Sequence, residues 1–367
     1  MKFYIIAGEA SGDLHGSNLI RAIQKQTKDA TFRAWGGDLM QAAGAEIVKN
    51  YRDLAFMGFV EVVSHLGTIL NNLKFAKEDI LNYQPDVIIF IDYPGFNLRM
   101  TEWAHKKGFK TCYYISPTVW AWKENRVEKI RKYVDRMMVI LPFEKPFYEK
   151  HQMKVDYVGH PLVEVIDASL KIPLTDHIVK GKPVIALLPG SRTQEIQTKL
   201  PVMMKMVDAF PEYDFVIGQA PGQDEPIYQQ IIGNRHVRLL KNRTYDIMKE
   251  ATAALVTSGT ATLETALFGV PQVVCYRANS VSYWIAKRLV KIKYISLVNL
   301  ILNKMSVIEL IQDDLNESNL KQALSDLLYN KEKQEQIQSD YTALWELLYP
   351  DHNASENAAK VVLSLVK

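Results

Sequence analysis

The chain has 367 residues, with 44 lysines and arginines against 41 aspartates and glutamates and a formal net charge of +3. That length is too great for one hydrophobic core, so two domains of roughly 150 to 200 residues are expected. The near-balanced charge argues against a nucleic-acid partner, which usually requires a basic face. Cys112 and Cys275 both lie inside apolar runs, which argues against a disulfide framework or a cysteine metal site and fits a reducing compartment.

The N-terminal sequence MKFYIIAGEASGD has an apolar stretch shorter than the core of a secretory signal. No later run reaches the roughly 18 apolar residues of a membrane-spanning helix. We therefore expect a protein that is neither exported by such a signal nor membrane-spanning.

Short apolar runs alternate with amphipathic stretches along the chain. The strand candidates are KFYIIAG, FRAWGG, DVIIFIDYPG, KTCYYISP, PVIALLPGS, DFVIGQ, ALVTSGT and PQVVCYR. This alternation predicts an α/β protein with parallel sheets covered by helices. Because the pattern restarts after VDYVGHPL, we predict two Rossmann-like, doubly wound domains, at 1–162 and 163–344, with a helix at 345–367 packing back on the first. Ligands are then expected in an interdomain cleft at the carboxyl ends of the strands.

The turn after the first strand, AGEASGDLHG, is acidic. Glu9, Ser11 and Asp13 suit hydroxyl groups better than phosphate, which favours a sugar. The alternative is that Asp13 only caps the helix. His15 and His160 are further candidates for acid–base chemistry, although a lone histidine is more often structural.

The segment DVIIFIDYPGFN places Asp92 at the end of a very apolar strand. A carboxylate there is partly desolvated, and desolvation raises its pKa toward neutral pH, as a general base requires. The alternative is an aspartate that only forms the turn before Pro94.

The segment PVIALLPGSRTQEI predicts a strand, a turn at Gly190 and a helix that begins at Ser191, with Gln194 in position for a capping box. A helix start offers free N–H groups to phosphate, and Arg192 adds a cation. The alternative is that Ser191 only caps the helix and Arg192 is solvated.

The segment AALVTSGTATLETALFGV repeats this design. Backbone N–H groups at Ser258, Gly259 and Thr260 are predicted to hold a diphosphate, and Glu264 to accept hydrogen bonds from a ribose. The alternative for Glu264 is a solvent-facing helix position. Neither turn has the phosphate-transfer motif of NTPases, and no acidic pair or spaced His or Cys pair stands beside them. We therefore predict a nucleotide sugar and chemistry without a metal.

The segment MGFVEVVSHLGTILNNLKFAKEDIL carries more apolar surface than one core-facing stripe needs. Its apolar members are Met57, Phe59, Val60, Val62, Val63, Leu66, Ile69 and Leu70. Together with Trp120, Trp122, Lys123 and Arg126 in the loop SPTVWAWKENR, they predict a surface for an amphiphile. Ordinary core packing of the helix and of both indoles is the alternative.

At these residues the chain resembles the lipid-A-disaccharide synthase family, inverting glycosyltransferases of the GT-B fold. The segments that carry the resemblance include AGEASGDLHG, MGFVEVV, IDYPGFN, YYISPTVWAWKENRVEKI, LPFEKPFY, YVGHPL, LLPGSRTQEI and SGTATLETAL, in order over almost the whole chain. It implies transfer of 2,3-diacylglucosamine from its UDP derivative to 2,3-diacylglucosamine 1-phosphate, giving the β-1′,6-linked lipid A disaccharide phosphate and UDP without a cofactor. It also implies a peripheral protein on the cytoplasmic face of the inner membrane, and it allows a homodimer.

By position, the resemblance implies that Asp92 is the base on the acceptor 6-hydroxyl, that Arg192 and the turn at 258–260 bind the UDP phosphates and that Glu264 binds the ribose. Further donor-side positions are Arg277, Asn299, Glu309 and Gln312. Many members have a second acid where this chain has Gly95, which concentrates the prediction on Asp92.

We make a separate hypothesis for the loop SPTVWAWKENR, residues 116–126, which we call the tryptophan loop. Trp120 and Trp122 are expected near acyl chains or a sugar face, and Lys123 and Arg126 near the acceptor phosphate or anionic headgroups. The alternative function is a UDP-N-acetylglucosamine 2-epimerase-like enzyme, which has the same two domains but no need of this loop. A third interpretation is a non-catalytic nucleotide-sugar sensor at a membrane surface.

Overall fold

The computed structural model describes residues 1–54, 66–174, 176–178, 181–279, 283–284, 288, 292–349 and 353–366, with the backbone alone at 66. The chain divides into two compact units. Unit 1 comprises Met1–Pro161 and Leu348–Lys367, and unit 2 comprises Leu162–Leu347. No helix in the described part of the chain combines the length and the apolar character that a membrane crossing requires.

Unit 1 is a parallel sheet with helices on both faces. Its described strands are β1 Lys2–Ala7, β2 Thr31–Gly36, β3 Ala45–Asn50, β4 Val87–Ile91, β5 Lys110–Tyr114, β6 Arg136–Val139 and β7 Asp156–Tyr157. Its described helices are α1 Ala10–Gln26, α2 Asp38–Ala42, α3 Leu66–Tyr83, α4 Pro94–Lys106, α5 Val119–Trp122, α6 Arg126–Tyr133 and α7 Glu144–Lys150. The strands pair in the order β3-β2-β1-β4-β5-β6-β7.

Unit 2 repeats this plan. Its described strands are β8 Val184–Leu188, β9 Asp214–Gln219, β10 Arg238–Lys241, β11 Ala251–Thr257, β12 Gln272–Tyr276 and β13 Ile308–Ile311, which pair in parallel in the order β10-β9-β8-β11-β12-β13. Its described helices are α8 Pro161–Leu170, α9 Thr193–Met203, α10 Lys205–Ala209, α11 Glu225–Ile232, α12 Thr244–Glu250, α13 Thr260–Leu267, α14 Leu297–Leu302, α15 Glu317–Tyr329 and α16 Lys331–Leu348. The last described helix of the chain, α17 Ala354–Ser364, belongs to unit 1.

In both sheets the strand order reverses beside the first strand of the unit, between β1 and β4 and between β8 and β11. This is the topology of Rossmann-like domains, in which ligands bind at the carboxyl ends of the strands where the order reverses. The predicted pair of doubly wound parallel sheets is therefore confirmed.

Strand β1 is buried on both faces, as a parallel sheet between two helical layers requires. Phe3 and Ile5 lie in the core beneath α1 and α17, whereas Tyr4 and Ile6 lie in the core on the opposite face. Val362 of α17 is fully buried in the first of these cores. The C-terminal helix therefore completes the unit with which the chain begins.

A buried polar network links β1, β2 and α3. The Tyr4 hydroxyl donates to Asp79 Oδ2 at 2.7 Å and accepts from Trp35 Nε1 at 3.0 Å, while Arg33 Nη2 donates to Asp79 Oδ1 at 2.8 Å. Burial alone would raise the pKa of Asp79, but the hydrogen bonds from Arg33 and Tyr4 outweigh it, and the pKa lies below its ordinary value. Asp79 therefore stabilises the fold as a carboxylate.

We expect Asp79→Ala to lower the free energy of unfolding of unit 1 by about 3 kcal/mol, because it leaves Arg33 and Tyr4 without their buried acceptor. Since the pKa of Asp79 is lowered in the folded state, its contribution is complete above its unfolded-state pKa and is lost as the pH falls through the folded-state value. Hydrogen exchange at the amides of β1 and β2 measures this free energy for unit 1 alone.

The control for this substitution is Glu128→Ala, which removes an exposed pair with Arg131 at 2.8 Å. An exposed pair contributes less than about 1 kcal/mol. Equal losses in the two variants would show that the Asp79 network does not stabilise the sheet.

Candidate active site

The polar residues predicted from the sequence stand at the carboxyl ends of four strands. Glu9 follows β1, Asp92 follows β4, Arg192 follows β8, and the turn at 258–260 follows β11. Each pair of strands flanks the point where the strand order of its sheet reverses. The sequence therefore places its candidate groups where a Rossmann-like sheet has room for a ligand.

Asp92 is half-buried directly after the fully buried strand β4. Burial, together with the negative charge of Glu9, raises the pKa of Asp92 to about 6, against a backbone hydrogen bond at Tyr93 that lowers it. The pKa of a general base is most useful close to the working pH. Asp92 therefore has the electrostatic setting that the sequence predicted.

The turn after β1 divides into exposed and buried residues. Glu9 and Ser11 are exposed, whereas Asp13 is buried. Asp13 Oδ1 accepts the backbone N–H of Gly37 at 2.7 Å and of Met40 at 3.0 Å, so its carboxylate caps helix α2. The predicted sugar contact of Asp13 is thus replaced by a structural role, and the helix that it caps is not its own.

The two candidate histidines are buried and neutral. Burial lowers the pKa of His15 to about 4, and burial, with a smaller contribution from the nearby His15, lowers the pKa of His160 to about 3. A histidine with so low a pKa is a weak base and is not charged near neutral pH. The structure does not favour either of them for acid–base chemistry.

The tryptophan loop separates its two indoles. Trp120 is half-buried and packs edge-to-face on Phe143 with ring centroids 4.8 Å apart, so it belongs to the packing of unit 1. Trp122 is 48% exposed, with Lys123 Nζ 3.8 Å from its ring centroid. Burial and the neighbouring charge of Arg126 lower the pKa of Lys123. Only Trp122, Lys123 and Arg126 therefore fit the predicted contact with an amphiphile.

The predicted apolar surface is described only in part. Met57, Phe59, Val60, Val62 and Val63 lie outside the described residues, as does the side chain of Leu66. In the described part of α3, Ile69 is half-buried and Leu70 is 64% exposed. An apolar group that exposed fits the predicted surface better than it fits core packing.

The turn after β8 differs from the prediction. Helix α9 begins at Thr193 rather than Ser191, and Glu195 rather than Gln194 completes the capping box. Glu195 Oε2 accepts the backbone N–H of Ser191 at 3.0 Å and of Arg192 at 3.3 Å. A carboxylate of the chain thus occupies the N–H groups predicted for phosphate. Contact with an anion stays a prediction for the exposed guanidinium of Arg192, whose Nη1 lies 3.9 Å from Glu195 Oε1.

The turn after β11 is open. Gly259 precedes α13 with a φ of 149°, and no side chain among the described residues caps the helix. A Cβ at Gly259 would meet no atom of a described residue within 4 Å. Ser258 anchors the turn by donating from Oγ to Ile295 O at 2.9 Å. Because an uncapped helix start offers N–H groups and a positive dipole to an anion, this turn suits a diphosphate better than the turn at Arg192.

Glu264 lies on α13, beyond this turn, and is half-buried. Burial raises the pKa of Glu264, and the Tyr245 hydroxyl, which donates to Oε1 at 2.9 Å, lowers it. Oε2 receives no hydrogen bond from any described residue. This setting does not fit a simple solvent-facing position, and no pattern in the sequence points to Tyr245 as a neighbour of Glu264.

Arg277 and Gln312 are engaged with the backbone. Arg277 Nη2 donates to Gln312 O at 3.2 Å and also to Leu315 O. The Gln312 amide accepts from Ala278 N at 2.6 Å and donates to Ala278 O at 3.0 Å. Both side chains thus join the end of β12 to the segment after β13.

Asn299 and Glu309 hold the loop that anchors Ser258. Glu309 Oε2 accepts from Ile295 N at 3.0 Å, and Glu309 Oε1 accepts from Ser296 N at 2.9 Å and from Asn299 Nδ2 at 2.8 Å. Asn299 is fully buried. These residues shape the surroundings of the Gly259 turn, and direct contact with the donor stays a prediction for them and for Arg277 and Gln312.

Solved structures with a similar fold include a UDP-N-acetylglucosamine 2-epimerase and a glycotransferase. The Methanocaldococcus jannaschii UDP-N-acetylglucosamine 2-epimerase in complex with UDP-GlcNAc and UDP superposes with a TM-score of 0.69 at 12% identity, covering 99% of this chain and 100% of that one. The glycotransferase of kitacinnamycin gives 0.68 at 14% identity, covering 100% and 99%. At these identities the likeness concerns the two-domain fold alone.

The family is shown by the sequence matches. Residues 3–363 match the model of the lipid-A-disaccharide synthetase family. The lipid-A-disaccharide synthase of Syntrophus aciditrophicus is 38% identical over 373 residues, covering 99% of this chain and 97% of that protein. That of Nitrosococcus oceani is 38% identical over 351 residues, covering 93% and 90%. The chain belongs to the lipid-A-disaccharide synthetase family, and the epimerase alternative reflects only the shared fold.

Glu9 gives the electrostatics of Asp92 a direct test. We expect Glu9→Gln to lower the pKa of Asp92, because it removes the like charge that disfavours ionisation. The acidic limb of the pH dependence of kcat/KM should therefore move to lower pH by roughly half a unit to one unit. Glu128→Gln, which removes an exposed charge elsewhere in unit 1, should leave the limb in place. A limb that stays in place in Glu9→Gln would mean that Glu9 does not tune the base.

Proposed function

We propose that this protein transfers 2,3-diacylglucosamine from its UDP derivative to the 6-hydroxyl of 2,3-diacylglucosamine 1-phosphate, forming the β-1′,6-linked lipid A disaccharide 1-phosphate and UDP. The family match over residues 3–363 supports the reaction. The observation in the structure that carries it is a half-buried carboxylate, Asp92, whose pKa is raised to about 6 at the strand-order reversal of unit 1.

In the proposed mechanism, Asp92 takes the proton of the acceptor 6-hydroxyl while that oxygen attacks C1 of the donor sugar. The bond between C1 and the diphosphate oxygen breaks on the opposite face, and UDP leaves with the electron pair. This single displacement inverts the anomeric carbon. A carboxyl group with a pKa near 6 is ionised at neutral pH and is still basic enough to accept the proton.

The departing diphosphate carries negative charge, which unit 2 is proposed to stabilise. The open N-terminus of α13 at Gly259 offers backbone N–H groups, and Arg192 offers an exposed guanidinium. Oε2 of Glu264 is proposed to accept hydrogen bonds from the ribose. We propose that these groups meet the charge of the leaving group without a metal ion or other cofactor.

The reaction is tested by mixing the purified protein with both substrates in detergent and EDTA and detecting the disaccharide by mass spectrometry. We expect product in EDTA, and we expect Asp92→Asn to reduce kcat by at least about 100-fold while UDP binding persists. Asp86→Asn, at the opposite end of β4, is the matched control and should keep near-parent activity. Absence of disaccharide under all conditions contradicts the function, and product only after magnesium is added contradicts the metal-free mechanism.

We further propose that unit 1 binds the cytoplasmic face of the inner membrane as a peripheral protein. Leu70 and Phe75 of α3 are 64% and 41% exposed, and Trp122 is 48% exposed beneath Lys123. Exposed apolar and aromatic groups beside cations suit the boundary between acyl chains and anionic headgroups. A homodimer, which the resemblance allows, stays a prediction.

The cations of the tryptophan loop test this surface. We expect the double variant Lys123→Ala and Arg126→Ala to bind vesicles of phosphatidylethanolamine and phosphatidylglycerol roughly tenfold more weakly, because two cations that would contact anionic headgroups are lost. We also expect a higher KM for the acceptor, because the same cations are proposed to contact its 1-phosphate. Sedimentation with vesicles and steady-state kinetics measure the two effects. The control is Lys106→Ala with Lys132→Ala, which makes the same change of charge elsewhere in unit 1. If both double variants bind vesicles equally weakly, the effect depends on net charge alone, and the proposed membrane-binding surface at the tryptophan loop is contradicted.

A further inference from the structure

The backbone at Asp92 is strained. Asp92 has a φ of 42° and Tyr93 a φ of 49°, both in the left-handed region that residues other than glycine rarely adopt. Tyr93 also precedes Pro94, which disfavours helical backbone at the residue before it. Two such residues in succession do not follow from local preference. Contacts with the rest of unit 1 must therefore impose this conformation.

Two buried side chains hold the carbonyl oxygen of Asp92. The Tyr113 hydroxyl donates to it at 2.6 Å, and Asn97 Nδ2 donates to it at 2.8 Å. Asn97 Nδ2 also lies 3.2 Å from Ile91 O and 3.3 Å from Ile6 O, so the amide joins the ends of β4 and β1. If the Asn97 amide were reversed, its oxygen would face these three carbonyl oxygens and could not donate to them. The contacts therefore determine the orientation of the amide.

The ring of Tyr93 closes the turn from the other side. A Cβ at Gly8 would lie 2.4 Å from an atom of this ring, so the ring covers the loop after β1 at a distance that only glycine permits. The ring also stacks on Phe96 with centroids 5.6 Å apart. The peptide between Asp92 and Tyr93 therefore cannot relax without breaking contacts on both sides.

We infer that Tyr113 and Asn97 are positioning residues for the reaction, because they hold Asp92 in the left-handed conformation that keeps its carboxylate half-buried and near Glu9. The inference rests on the proposed function for its catalytic meaning. Neither residue is required to touch a substrate. Both act through the one carbonyl oxygen that they share.

The charged and titratable groups around Asp92 determine how its pKa changes when its carboxylate moves. Glu9 raises the pKa of Asp92, and Tyr93 and Tyr113 stay neutral because burial raises the pKa of each. Arg126 also acts on Tyr113, whose pKa it lowers against the effect of burial. When the Tyr113 hydroxyl is removed, the Asp92 carbonyl oxygen keeps only the hydrogen bond from Asn97, and the Asp92 peptide turns more readily toward an extended conformation. Its carboxylate then gains water, and its pKa falls toward the ordinary value of about 4.

The experiment compares Tyr113→Phe with Tyr114→Phe. Both tyrosines are fully buried at adjacent positions of β5, but they lie in the cores on opposite faces of the sheet. For Tyr113→Phe we expect kcat to fall about tenfold with the KM for the UDP-sugar unchanged, as for the loss of one positioning hydrogen bond. The acidic limb of the pH dependence of kcat/KM should move to lower pH. Tyr114→Phe should leave kcat and the limb close to the parent values.

A titration of Asp92 by carboxyl ¹³C NMR, assigned with Asp92→Asn, decides the inference without turnover. We expect a lower Asp92 pKa in Tyr113→Phe and in Asn97→Ala than in the parent, and no change in Tyr114→Phe. If the parent makes no disaccharide, the proposed function fails while this titration still tests the positioning. An Asp92 pKa that is the same in Tyr113→Phe and the parent, or an equal loss of kcat in Tyr114→Phe, would overturn the inference.

Discussion

Parallel strands cannot be joined by tight turns, so every connection in the two sheets must cross a face before the next strand begins. Where successive connections move to opposite faces, two neighbouring loops leave the sheet in different directions and open a space between them. In unit 1 this space lies between the loops after β1 and β4, and in unit 2 between the loops after β8 and β11. The positions of Asp92 and of the Gly259 turn follow from this constraint.

Within that frame, the same chemical group serves opposite purposes. Asp79 is buried with a guanidinium and a hydroxyl, and its pKa falls, whereas Asp92 is half-buried near another acid, and its pKa rises. The helix starts differ in the same way, since Glu195 caps α9, whereas no side chain in the part of the chain that the structure describes caps α13. Surroundings, rather than residue type, separate the groups that stabilise the fold from those available for chemistry.

The sequence was informative where a local pattern was sufficient. The apolar run VIIFI ending in an acid located Asp92, and the strand-to-glycine turn located Gly259. It failed where the partner is distant or depends on backbone geometry. Asp13 caps a helix reached only after β2, and Gly190, with a φ of 125°, lets the chain enter α9 later than the capping pattern indicated. The same holds for Tyr113, which is distant from Asp92 in sequence and adjacent to it only through the pairing of β4 with β5.

The return of α17 to unit 1 has a consequence for synthesis on the ribosome. The core beneath β1 needs Ala358 and Val362, which are translated after all of unit 2. Unit 2 therefore has its complete sequence before unit 1 does, reversing the usual order in which the N-terminal domain of a nascent chain folds first. Until α17 emerges, the apolar face of α1 that packs against it is not covered by that helix.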